Sequence, residues 1–112
     1  MPRNMSFMLT TEQVKNGDKD ITRRLGWWFL KPGEVLNTCE KCQGLKKGEK
    51  VKKINQIRII STRAEPLNVI DQQDCIREGF PEMTPDEFVK MFCRHNSCDP
   101  DTEVNRIEFE YI

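Results

Sequence analysis

A single histidine stands in this 112-residue chain, and the net charge at pH 7 is zero. No apolar run is longer than Leu25–Leu30, which Gly26 interrupts. That is far short of the ~20 residues needed to span a bilayer. The start, Met-Pro-Arg-Asn-Met, lacks the hydrophobic core of a secretory signal, so a cytoplasmic location is expected. One histidine, His95, excludes an ordinary Ser-His or Cys-His triad unless His95 itself serves it. Five cysteines are an odd number, and in a reducing compartment they read as free thiols rather than a disulfide framework. Internal repeats and low-complexity segments are also absent.

What is present is a balanced globular composition, 37% hydrophobic and 32% charged, enough for one domain over 1–112 with one core. The zero net charge hides an uneven distribution. Residues 1–64 carry 14 Lys/Arg against 6 Asp/Glu, and residues 65–112 carry 4 against 12. Either the basic half meets phosphates, or the two halves pair with each other in the fold.

Local signals order the elements. Met5–Leu9 reads as a strand. Thr11–Asn16 reads as a short helix that Gly17 ends, since glycine alone enters the left-handed region without steric cost. Trp27–Phe29 follow a polar loop, a Lys31–Glu34 turn leads to a strand over Glu34–Lys41, and Gly48 marks a turn in a basic stretch. Ile-rich Gln56–Arg63 is the strongest strand signal in the middle. Asn68–Arg77 reads as a helix with Val69, Ile70 and Ile76 turned inward. Thr84-Pro85-Asp86-Glu87 spells a capping box, and Phe88, Met91 and Phe92 then share a helix face. Ile107, Phe109 and Tyr111 alternate with Glu108 and Glu110, so a half-buried strand follows. Strands interrupted by helices, without strict βαβ alternation, point to a barrel or an α+β sheet.

The segment Gly17-Asp18-Lys19-Asp20-Ile21-Thr22-Arg23-Arg24 concentrates the chemistry. On a strand, Thr22 and Arg24 project to one face. An ammonium, a hydroxyl and a guanidinium together suit a phosphate, carboxylate or carbonyl oxygen. The pattern Gly-x-Lys-x-x-Thr-x-Arg after a short helix resembles the hallmark of ASCH domains. Pro32–Leu36, the segment Glu78-Gly79-Phe80 with Thr84–Phe92, and Arg106–Tyr111 resemble further parts of that family in order and at length. Lys46–Lys53 and the cysteines resemble small ASCH proteins of bacteriophage and prophage.

The resemblance implies an α+β fold, a small PUA-like β-barrel with two or three short helices and a cleft at the hallmark. It implies binding of RNA, single-stranded nucleic acid or a nucleoside, with Gly17, Lys19, Thr22, Arg24, Trp27 and Trp28 at the ligand. One branch of the family consists of amidohydrolases that remove the acyl group from N4-acetylcytidine. Its catalytic Lys and Thr correspond to Lys19 and Thr22, and Glu78 is the best match for its Glu. In that case a desolvated, neutral Lys19 would activate Thr22 or water, with backbone N–H groups near Gly17 stabilising the oxyanion. Asp18 and Asp20 beside Lys19 tend to keep it protonated, which favours binding over catalysis.

Other features have plainer readings. One of the adjacent Trp27 and Trp28 is expected in the core, the other at a base. Cys39, Cys42, Cys93 and Cys98 have spacing that could hold zinc, but reduced thiols and no cofactor are the expectation. Lys46, Lys47, Lys50, Lys52 and Lys53 form a basic patch, either phosphate-tracking or solvated. His95 suits the end of a helix, where a cation meets the dipole.

Overall fold

Strand β5 (Glu103–Tyr111) shows how the sequence builds its sheet. Val104 through Ile107 are all buried, because the strand lies between two others and is covered on both faces. A computed structural model describes residues 2–41, 48 and 50–112. Its strands are β1 (Arg3–Ser6), β2 (Ile21–Arg24), β3 (Val35–Cys39), β4 (Lys53–Pro66) and β5, in the order β1-β3-β4-β5-β2. The β1–β3 pair is parallel and the other pairs are antiparallel.

The expected barrel is thus an open mixed sheet whose edges are β1 and β2. Those edges come together across a cavity that Ser6 and Phe7 line from one side and Thr22 and Arg24 from the other. A side chain bridges them: Arg24 Nη2 donates to the Ser6 carbonyl at 2.6 Å. The long strand β4 shifts register between Ile59 and Ser61 against β5. Such a bulge lets a strand bend and twist more strongly.

Helix α1 (Thr11–Asn16) ends where expected, with Gly17 at φ +75°. The first strand stops at Ser6, however, and Met8–Thr10 form a 3-10 turn. The expected helix over Asn68–Arg77 divides into a 3-10 turn (Leu67–Val69) and α2 (Gln72–Arg77). The cause is Asp71, whose side chain caps α2 by accepting from the Asp74 N–H at 2.8 Å. This late start resets the helical phase. Leu67, Ile70 and Cys75 are buried, whereas Val69 and Ile76 are exposed. Helix α3 (Pro85–Asn96) carries the full Thr84/Glu87 capping box.

Two apolar clusters form among the described residues. One gathers Met5, Leu36, Ile57, Ile59, Ile107 and Phe109 from the sheet with Phe7 just after β1. The other packs Leu67, Phe88, Val89 and Phe92 around Val104. Among the described residues, no helix is long and apolar enough to cross a membrane.

Candidate functional site

The turn after α1 is held at both ends before it presents any side chain. Gly17 and Asp18 N–H groups donate to Val14 and Gln13 carbonyls, closing the helix. The Asp20 N–H donates to the Arg77 carbonyl, and the Asp20 carbonyl accepts from the Phe109 N–H. The Tyr111 hydroxyl donates to the Lys19 carbonyl. Burial and the nearby Asp20 and Asp18 carboxylates raise the Tyr111 phenol to about 12, so it remains a donor at neutral pH. The N–H groups of Gly17 and Asp18 are thus committed to the helix cap.

This scaffold drives Lys19 inward, leaving its side chain 3% exposed. Lys19 Nζ donates to Glu78 Oε1 and to the Glu78 carbonyl, both at 2.7 Å. Asp20, expected to hold Lys19 protonated, instead accepts from Arg77 Nε and Nη2 at 2.9 and 3.2 Å. Burial lowers the Lys19 ammonium pKa, Glu78 opposes this, and Arg24 and Arg23 add to the lowering.

Thr22 and Arg24 share a face of β2, as the two-residue period requires. Arg24 Nε donates to Thr22 Oγ1 at 3.0 Å, and the guanidinium lies 4.8 Å from the centroid of the Phe7 ring. A hydroxyl that accepts from a cation keeps its own proton for a further acceptor.

Arg23 was not among the expected site residues, yet it is the hub of the buried charges. Nη1 donates to Glu78 Oε2 at 3.1 Å, and Nη2 donates to Asp74 Oδ2 at 2.5 Å and Glu65 Oε2 at 3.1 Å. Arg106 grips Asp74 through two bonds, 2.9 and 3.2 Å. Burial works against the Asp74 carboxylate, but hydrogen bonds from Arg106 and Arg23 outweigh it and hold Asp74 at about 2. Three cations, Lys19, Arg23 and Arg106, thus face three carboxylates, Glu65, Asp74 and Glu78. Most of these bonds join the basic first part of the chain to the acidic second part, so here the charge asymmetry is spent internally.

Lys19, Thr22, Arg23, Arg24 and Glu78 line one side of a cavity of about 160 Å³. Phe7, Phe80, Phe88, Met91 and Phe92 make much of the remaining wall, with His95 and Asn96 at the end of α3. Phe88 and Phe92, expected on one helix face, serve the core and the cavity together. A cavity of ~150 Å³ holds a benzene-sized ring, so this volume suits one ring or a ring with a small substituent.

Gly17, Trp27 and Trp28 do not line this cavity. One of the two tryptophans was expected in the core and the other at a base, and the chain turns there. Trp27 has φ +59° and packs partly buried against the sheet cluster, while Trp28 is 54% exposed. Cys39 is buried, Cys93 and Cys98 bring their Sγ atoms to 4.0 Å, and Cys42 lies outside the described residues, as do Lys46 and Lys47 of the basic patch. Among the described residues, no three His, Cys, Asp or Glu side chains gather as a metal site.

No family model and no curated protein matches the sequence. Solved structures do. A crystal structure from Enterococcus faecalis V583, of the family-model DUF984, aligns with a TM-score of 0.70 and 16% identity, over 100% of this chain and 76% of that one. An ASCH domain from Lactobacillus crispatus aligns with a TM-score of 0.67 and 14% identity, over 97% of this chain and 78% of that one. The fold is therefore ASCH-like.

Proposed function

We propose that the cavity takes the base of an N4-acylated cytidine or a related nucleoside, and that Lys19, Thr22 and Glu78 hydrolyse its exocyclic amide. The observation that carries this reading is the buried Lys19–Glu78 pair beside the Thr22 hydroxyl, on the wall of a ring-sized, aromatic-lined cavity. A simple anion-binding site would leave its lysine exposed to phosphate. Here Lys19 is desolvated, and desolvation favours the neutral amine that a base requires.

In the reaction, neutral Lys19 takes a proton from water as the oxygen adds to the acyl carbon. The Thr22 hydroxyl, polarised by Arg24, donates to the oxygen that becomes negative. The tetrahedral species collapses by breaking the bond between the acyl carbon and the exocyclic nitrogen. Lys19 returns its proton to that nitrogen, with Glu78 holding the ammonium in the interval. Amide and water become carboxylic acid and free amine.

Incubation with N4-acetylcytidine, followed by its change in absorbance, tests this. Turnover is expected, and Lys19→Ala and Glu78→Gln should each lower kcat by about 100-fold or more, the usual contribution of a positioned acid or base. A folded protein that produces no cytidine at high enzyme concentration would refute hydrolysis. If that protein then showed salt-dependent binding of short RNA, the cleft would be a binding module instead.

A further inference from the structure

We propose that Arg23 is a positioning residue that competes with Lys19 for Glu78, so that Lys19 receives one carboxylate oxygen instead of a whole counter-ion. This rests on the reading of Lys19 as the base, but its decisive measurement does not require turnover.

The geometry divides Glu78 between two cations. Oε1 lies 2.7 Å from Lys19 Nζ, and Oε2 lies 3.1 Å from Arg23 Nη1. Both cations are almost fully enclosed, with side-chain exposures of 3% and 0%. Arg23 cannot leave Glu78 easily, because Asp74 and Glu65 fix its Nη2 and Arg106 fixes Asp74 in turn. The Arg23 Nε is buried with no hydrogen-bond partner among the described residues. The head is therefore aimed by the carboxylates at its tip, at the expense of its own third donor site.

A lysine alone with a buried carboxylate is held charged by it. A lysine that shares that carboxylate with a fixed guanidinium, and faces the guanidinium's repulsion, gives up its proton more readily. The other charged groups near this pair do not undo the effect. Arg24 on β2 adds to the repulsion. Asp20 is held by Arg77 and Asp74 by Arg106 and Arg23. Tyr111 on β5 reaches the Lys19 backbone as a neutral donor. His95 lines the cavity from α3, and Asp18 precedes Lys19 in its turn.

The test follows the Lys19 side chain by NMR in protein labelled with 13C-lysine, with Lys19→Arg to identify the signal. In Arg23→Gln the Lys19 titration should move up by about one unit, while Arg23→Lys, which keeps a cation at Oε2, should return it towards the native position. In the hydrolysis assay, Arg23→Gln should lower kcat about ten-fold at pH 7 with KM within about two-fold, as the active form moves to higher pH. A folded Arg23→Gln protein whose Lys19 titrates as in the native protein overturns the proposal, whether or not the protein is a hydrolase. If Arg23→Gln does not fold, Asp74→Asn decides. It removes one of the two carboxylates at Arg23 Nη2 and leaves Glu65 and Glu78, so Arg23 turns more fully to Glu78 and the Lys19 titration should move down, and an unmoved Lys19 there overturns the proposal equally. Loss of turnover in the native protein with a shifted Lys19 in the variant would refute only the hydrolase reading.

Discussion

Asp74 shows how one carboxylate ties stability to pH. Its folded-state pKa of about 2 lies below the ordinary value of 3.8. A depressed carboxylate contributes stability that is fully present above the ordinary value and is lost as pH falls through the folded one. Urea midpoints are therefore expected to fall as pH goes from about 4 to 2. Asp74→Asn should be less stable at neutral pH and should show a shallower acid slope. A slope equal to that of the native protein would place the acid sensitivity elsewhere. Glu78 was legible in the sequence only through a family likeness, since nothing within a few residues marks it. The bond between Arg23 and Glu78 had no local signature either. Its partners lie 55 positions apart, and a doubled arginine in a strand reads equally well as surface.

At the scale of elements, Gly79 connects α2 to the site. Its φ is +97°, and a Cβ there would lie 2.9 Å from Gln13 Cγ. Gln13 Nε2 also donates to the Gly79 carbonyl at 3.0 Å, which ties α1 to the segment that carries Glu78. Gly79→Ala is expected to cost about 1 kcal/mol or more in urea unfolding and to lower turnover by displacing Glu78. Retained activity with reduced stability would show that the Glu78 carboxylate tolerates that displacement. The parts of the fold legible beforehand were those with adjacent cues, namely Gly17 ending α1, the Thr84–Glu87 box opening α3, and the alternation in β5. Val69 and Ile76 were misassigned because Asp71 restarts the helix, and capping competes locally with hydrophobic phase.

For the whole molecule, the open sheet explains where the site is. The helical cluster contributes Phe88 and Phe92 to the cavity and the sheet cluster Phe7, and the charged network lines the cavity with them. Phe109 anchors the sheet side, with its ring 6.0 Å from Phe7 and 5.7 Å from Tyr111. Phe109→Ala should reduce unfolding free energy by about 3–5 kcal/mol, measurable as a lower urea midpoint. A loss under 1 kcal/mol would mean that the cluster closes over the gap. The expected barrel was misjudged because closure depends on whether two edges meet by backbone or by side chain, and residue patterns do not encode that choice. The Tyr111 bond to Lys19 spans 92 positions of sequence. Closing so long a loop is entropically slow relative to local helix formation. During synthesis, α1 and its turn therefore leave the ribosome well before the residue that anchors Lys19. A nascent chain that has not yet emerged as far as Tyr111 leaves the Lys19 amine in water and ordinarily basic.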